Sequence, residues 1–348
     1  MQPFGKTSRG QAVEVYTLSN ANGMAVDILT YGGVISAIRV PDRNGVMANV
    51  TLGFDNFPDY EARSPHFGCI TGRYANRIAG ASFRLGGREI RLSANEKGNH
   101  LHGGERGFSR RVWQSEAFET KATLGVRFQY RSADGEEGYP GALDAAVIYT
   151  LGAAGRLRID YRATSDRTTV VNLTHHSYFN LRDGGASRIL PHRIQIEADA
   201  YLAVDQAGIP TGEARPVAGT PLDFRRLSEL GARIESLVPE RGGYDHCFVL
   251  RERRRDGEPS LAARVYEPES GRVLELSTTQ PGLQLYTGNS LDGGFRGRGG
   301  AVYGRWQALC LEPQDFPDAP NQPGFPSSTL EPGREYAHST VFRFGVEG

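Results

Sequence analysis

Surplus charge is missing from this chain. Forty Lys and Arg side chains are balanced by forty Asp and Glu, so the formal net charge at neutral pH is zero. Proteins that hold nucleic acid or an anionic bilayer by charge carry a basic surplus, so the balance points to neither partner. Cysteine is scarce as well: Cys69, Cys247 and Cys310 are scattered, odd in number and without a C-x-x-C. That pattern suggests neither a zinc ribbon nor a disulfide framework, and buried free thiols in a reducing compartment account for it most simply. No apolar run approaches the roughly 18 residues of a membrane span. The start, Met1-Gln2-Pro3-Phe4-Gly5-Lys6, lacks the apolar stretch of a signal peptide. A cytoplasmic address is expected, and the mature part of an exported precursor is not excluded. Repeats, long helical patterns and linkers are also lacking, so residues 1–348 are expected to form one all-β domain.

Glycine is plentiful at 44 residues, about double the usual share. Without a collagen period, that means many tight turns and hence many strands. The first half reads as strand after strand: Val13–Leu18, Met24–Tyr31, Val34–Val40 and Val50–Leu52, with turn clusters at Asn20–Gly23 and Pro41–Gly45. Phe57–Ala62 suits a helical turn, with Pro58 near its start. Phe83–Leu92 is a hairpin about Gly86-Gly87. Strands continue at Val112–Phe118, Thr123–Ser132, Leu143–Leu151 and Arg156–Ala163. The turn-rich loop Gly135–Gly141 is placed over a cleft. Residues 199–221 read as a long excursion and Leu227–Leu230 as a short helix. Arg251–Asp256 is a charged tip whose Arg253-Arg254-Arg255 is solvated surface. Strands return at Cys247–Leu250, Arg272–Thr278, Gly282–Thr287 and Thr340–Phe344.

Several stretches carry chemistry. Thr174–Leu181 follows the extended run Val170–Leu173, and strand alternation puts Asn172, Thr174, His176 and Tyr178 on one face. A lone histidine beside an aromatic is more often structural, yet an imidazole on a polar face can trade protons at neutral pH. Gly72–Ile78 sets Arg73, Asn76 and Arg77 among small residues. Such a loop is usually solvated, but a guanidinium and an amide also suit ligand hydroxyls. His100 and His102 form an H-x-H, which on a strand shares one face and begins many metal sites. Gly103-Gly104 leaves room for a close approach to the backbone. Asp245 stands at a strand entrance behind Gly242-Gly243, and Gln284 is polar within an apolar run. Glu312 closes an apolar strand beside Pro313, where pairing is expected to break. A carboxylate there is partly desolvated and its pKa rises, as a base poised near neutral pH requires.

In this order, Gly72–Ile78, Leu101–Gly104, His176–Leu181, Tyr244–His246 and Leu311–Gln314 with Pro317–Ala319 resemble the aldose 1-epimerase, or galactose mutarotase, family. Each motif is weak and the ordered set is specific, covering about residues 4–344. The resemblance implies a large antiparallel β-sandwich, the supersandwich, with a sugar cleft on one sheet. It implies exchange of the α and β anomers of free aldohexoses, without a cofactor or a metal, by a monomer or homodimer whose partner is a small monosaccharide. By motif, Glu312 matches the general base, His176 the general acid and His102 a second active-site histidine. Asn76, Arg77, Asp245 and Gln284 match positions that hold sugar hydroxyls, and Tyr178 packs near the sugar.

Three rivals use the same residues. A cupin-type metal enzyme would gather His100, His102, His176 and Glu312, but leaves the other motifs without a role. A glycoside hydrolase would pair Glu312 with Asp245. A sugar-binding module would bind without catalysis.

Overall fold

Period-two alternation decides which way each strand faces. Leu143–Gly152 buries every second side chain, as a strand packed on one face must. The computed structural model describes residues 1–251, 254 and 256–348. Its architecture is a sandwich of antiparallel sheets. The largest has nine strands, running from Gln114–Glu119 through Thr123–Ser132, Leu143–Gly152, Arg156–Ser165 and Tyr336–Val346 to Arg272–Thr278, Ser260–Tyr266, Arg193–Ile196 and Ser228–Glu229. A second, of six strands, is ordered Tyr178–Phe179, Leu309–Gln314, Gly282–Tyr286, Asp245–Leu250, Ala198–Val204 and Pro210–Pro216. Five strands from Gln2–Lys6 to Met47–Asn49 form an N-terminal meander.

The nine- and six-stranded sheets meet in one apolar core. Val126, Phe128, Val147 and Phe342 come from one, and Phe248, Leu283, Leu285, Leu309 and Leu311 from the other. The core leucines of the six-stranded sheet alternate with Gln284, Tyr286, Cys310 and Glu312, which face the other way. The row that packs the sandwich thus dictates the row that faces the cleft. Phe179 sits on Phe342 and His175 beside Tyr149 on the core side, while His176 and Tyr178 line the cleft, as the alternation requires.

Most expected strands appear with ends shifted by a residue or two, and Phe57–Arg63 is a helix capped by Asn56. Four readings need correction. Residues 199–221 contain the hairpin Ala198–Val204 and Pro210–Pro216, because the turn Asp205–Gly208 closes tightly. Ser228–Glu229 is a short strand and the helix begins at Gly231. Val50–Leu52 gives way to Met47–Asn49, Thr51 making one bridge to Phe179. Pro313 does not break its strand and pairs with Leu283. The Pro313 carbonyl accepts from Thr174 Oγ1 at 2.6 Å, so the proline nitrogen also points away from the Leu283 strand and its missing hydrogen costs that ladder nothing. Of the Arg253-Arg254-Arg255 cluster, Arg253 and Arg255 lie outside the described residues, and Arg254 is exposed and pairs with Asp256.

The cleft wall depends on one close backbone approach. Segment 101–108 folds over the Gly72 carbonyl, which accepts from the Phe108 N–H at 3.0 Å. Gly103 has φ +86°, and a Cβ there would lie 1.8 Å from that carbonyl oxygen. Gly103→Ala is therefore expected to cost more than about 1 kcal/mol from backbone strain alone, seen as a lower urea midpoint at unchanged slope.

Candidate active site

Three neighbouring strands build the floor. Glu312 faces Gln284 directly in register, and Gln284 Nε2 donates to Asp245 Oδ1 on the next strand at 2.7 Å. With strands about 4.8 Å apart, the row spans on the order of 10 Å. It lies in a cleft of about 450 Å³ whose lining includes all eight site residues expected from sequence: Asn76, Arg77, His102, His176, Tyr178, Asp245, Gln284 and Glu312.

At one end Glu312 is buried, with Oε1 3.6 Å from His176 Nε2. Among the described residues, its Oε2 and the His176 Nδ1 have no hydrogen-bond partner. Burial pushes the Glu312 carboxyl well above the ordinary value, and the Asp245 charge pushes the same way against Arg77. Burial likewise holds His176 well below 6.5, with the charge of His66 adding to it. Each group is thus driven toward its uncharged form, and one proton resides on the pair. Tyr178 stacks on the His176 ring at 5.0 Å and 19° and anchors its own hydroxyl on the Pro65 carbonyl at 2.9 Å. It backs the imidazole as well as lining the cleft.

His102 is oriented by the backbone. The Asn76 N–H donates to His102 Nδ1 at 3.2 Å, and the His102 N–H donates to the Asn76 carbonyl at 3.0 Å. A ring nitrogen that accepts carries no proton, so the neutral imidazole keeps its hydrogen on Nε2. Burial, then the charges of His66, His176 and Arg77, hold His102 well below 6.5. It therefore stands in the cleft as a fixed N–H donor. Asn76 Oδ1 accepts from the Arg77 N–H at 2.9 Å, leaving its amide nitrogen for the cleft. Glu96 grips Arg77 through Nε at 3.0 Å and Nη2 at 2.8 Å.

Not every expected residue converges. Arg73 turns away from the cleft and donates to Ser132, Ala133, Pro140 and Gly141, so its loop offers one guanidinium to the site. The strand His100–Leu101 is two residues long and His102 has φ +50°, so the H-x-H does not share a face. His100 spends its nitrogens on the Ser93 carbonyl at 2.7 Å and the Tyr139 hydroxyl at 2.6 Å. The cupin-like set is thus not assembled. His102, His176 and Glu312 do place ligand atoms within 4.8 Å of one another. A cation placed there would meet the hydrogen that Asn76 fixes on His102 Nε2 instead of a lone pair. The Gly135–Gly141 loop does not cover the cleft. Its Glu137 accepts from the Glu105 and Arg106 N–H groups at 3.1 and 3.0 Å, bracing the His102 segment from behind.

Sequence reasoning missed His66, Glu96, Lys97, Arg241 and Tyr286, among others in the lining. His66 packs 4.8 Å from His102 and 5.9 Å from His176, and burial holds it down at about 4. A histidine in a Pro-His-Phe-Gly turn carries no signal of the cleft it joins.

A β-sandwich whose sheet face presents a buried carboxyl–imidazole pair, a fixed imidazole donor and a row of amide and carboxylate groups has the make-up of a site for a polyhydroxylated ligand, with groups able to move a proton. The family model described as aldose 1-epimerase matches residues 14–343. The chain is 47% identical to the galactose mutarotase of Mus musculus over 99% of this chain and 97% of that protein. It is 39% identical to the aldose 1-epimerase of Escherichia coli K12, over 97% of each. Among solved structures, the aldose epimerase homologue from C. elegans superposes with a TM-score of 0.88 at 29% identity, covering 97% of this chain and all of that one. The galactose 1-epimerase of Lactobacillus acidophilus gives 0.86 at 28% identity, over 99% and 98%. The chain belongs to the aldose 1-epimerase family and is a mutarotase, an isomerase acting on carbohydrate.

The His102 geometry has a direct spectroscopic consequence. Nitrogen-15 NMR is expected to show His102 with Nε2 protonated, Nδ1 bare and no titration across the neutral range. A Nδ1–H tautomer, or a midpoint near 6.5, contradicts it.

Proposed function

We propose that this protein interconverts the α and β anomers of free aldohexoses such as D-galactose and D-glucose, with Glu312 as general base and His176 as general acid. The observation that carries this reading is the buried carboxyl–imidazole contact at one end of a cleft lined with polar groups. The reaction removes the proton on O1 and delivers one to the ring oxygen. The C1–O5 bond opens, the aldehyde turns about C1–C2, and O5 attacks the other face of C1 as the proton transfers reverse. One acid and one base suffice, and the pair holds one proton throughout. Sugar hydroxyls donating to Glu312, together with Arg77, favour its carboxylate and so place that proton on His176. His102 Nε2–H meets the ring oxygen or the adjacent hydroxyl as charge develops. Asn76, Arg77, Gln284 and Asp245 hold the remaining hydroxyls, and Tyr178 keeps the acid in place. The mouse relative's name supports galactose as a substrate. No step calls for a cofactor or a metal.

The same reading makes the chain one domain acting as a monomer or homodimer on a monosaccharide, without nucleic acid or membrane partner. A core cluster that draws on residues from Tyr16 to Phe344 supports one folding unit. Three free, buried cysteines support a reducing, cytoplasmic setting.

Polarimetry of freshly dissolved α-D-galactose and α-D-glucose tests the activity. Glu312→Gln and His176→Asn are each expected to cut turnover by about 10²- to 10⁴-fold; near-normal rates in either would remove its role. The pH dependence of kcat/KM should fall off on both sides. Activity is lost in acid when Glu312 and His176 are both protonated and no base remains, and in alkali when both are bare and no acid remains. Because burial lowers His176 and raises Glu312, the acid limb should fall below the ordinary histidine value of about 6.5 and the alkaline limb above the ordinary glutamate value of about 4.3. Activity that rises with pH through one midpoint near 6.5 would contradict the shared proton.

A further inference from the structure

His176 is held differently from the other histidines around the cleft. The Asn76 N–H fixes the His102 ring through Nδ1, and His100 has a partner on each nitrogen. His176 has no such support. Among the described residues its Nδ1 makes no hydrogen bond, and its Nε2 stands 3.6 Å from Glu312, beyond hydrogen-bond reach. The χ2 wells of a histidine are broad, and a half-turn about that bond puts a ring carbon where Nε2 was. Packing, not hydrogen bonding, therefore points Nε2 at Glu312.

That packing comes from one turn, residues 65–69. The His176 backbone is tied to it on both sides: the Gly68 N–H donates to the His176 carbonyl and the His176 N–H to the Cys69 carbonyl, each at 2.9 Å. The Pro65 carbonyl accepts from the Tyr178 hydroxyl at 2.9 Å, which sets the Tyr178 ring against His176 at 5.0 Å and 19°. The next residue, His66, places its own ring 5.9 Å from His176 and 22° from parallel. Among the described residues Tyr178 and His66 make no ring contact with each other, so they approach His176 from different sides. His102 meets the same ring edge-on at 5.2 Å. All three separations lie in the range where aromatic faces and edges attract.

The turn by itself does not need a ring at His66. Its φ of +69° is left-handed, and asparagine or glycine adopts that conformation as readily. Ser64 Oγ accepts from the Phe67 N–H at 3.0 Å and holds the turn without the imidazole. What the imidazole adds is a flat face beside His176. Burial and the Arg110 charge hold His66 at about 4, so at neutral pH it covers its neighbour without repelling a proton there. We propose that His66 is a positioning residue for His176, its ring and that of Tyr178 together keeping Nε2 aimed at Glu312. This rests on His176 being the acid, as proposed above, and adds the residue that directs it.

The test reads kcat and KM for α-D-galactose by polarimetry on the full chain, beside the urea midpoint. His66→Asn keeps a residue suited to positive φ and removes the ring, whereas His66→Phe keeps a ring and strains the turn. His66→Asn is expected to lower kcat by about ten- to a hundredfold, the scale for a misaimed reacting group, with KM within about twofold. His66→Phe should recover most of that kcat despite a lower urea midpoint. In a His176→Asn background, His66→Asn should take nothing further from the residual kcat, as for residues that act as one unit. Nitrogen-15 NMR should show the His176 ring signals shifted or broadened in His66→Asn while His102 keeps its Nε2–H form. His66→Gly replaces the Asn variant, and His66→Tyr the Phe variant, if either does not fold. A kcat that follows the turn, with Asn silent and Phe impaired, overturns the assignment and leaves anomer exchange standing. So do equal losses in both variants, a loss confined to KM, or a loss that adds to that of His176→Asn. Near-normal rates in His176→Asn alone remove the acid, and with it the reading on which the assignment rests.

Discussion

The molecule is arranged around one uncomfortable contact: a carboxyl and an imidazole, both buried, 3.6 Å apart, with their remaining polar atoms unpartnered among the described residues. Water would ordinarily solvate each group and set each pKa near its usual value. Burial withdraws that solvation, so each is pushed toward neutrality and together they hold one proton. A pair in that condition can give and take a proton without building net charge, as ring opening at a hemiacetal demands. The thiols of Cys69 and Cys310 nearby are pushed upward by the same burial and stay protonated.

Such a contact persists because rigid backbone imposes it. Glu312 is an outward position on a strand whose inward neighbours Leu309 and Leu311 belong to the sandwich core. Moving Glu312 means moving the ladder. His176 is held between the Tyr178 ring and the turn that carries His66. The loops are fixed by side chain–backbone hydrogen bonds: Asn76 to His102, Arg73 into the 132–141 loop, and Glu137 under the 105–106 amides. Residues far apart in the chain are thereby restricted to one tautomer and one direction each.

The buried pair and the polar row lie at different places on the same sheet. The buried carboxyl–imidazole pair occupies one side, and the polar row Gln284–Asp245 steps away from it strand by strand. Because neighbouring strands are a fixed spacing apart, the fold sets how far the row reaches from the buried pair. Arg77, gripped by Glu96, contributes to both halves. It biases Glu312 toward ionisation and reaches toward Arg241 and Gly208.

By itself the sequence determined the strands, because period two and turn glycines are local signals, and it determined the ordered motifs that place the chain in its family. It determined the face of His176 and the polar interruption at Gln284 for the same reason. Tertiary structure decided the rest. His100 and Arg73 look as functional as His102 and Arg77 in the linear chain. A left-handed residue at His102 and the acceptors Ser132, Ala133 and Gly141 part them. Residues 199–221 hid a hairpin because the tight Asp205–Gly208 turn, not hydrophobic alternation, closes it. Pro313 stays in its ladder because its nitrogen faces away from the neighbouring strand. His66, Lys97 and Arg241 joined the cleft from turns and a helix end, where side-chain direction depends on what packs behind the backbone. No pattern along the chain encodes that.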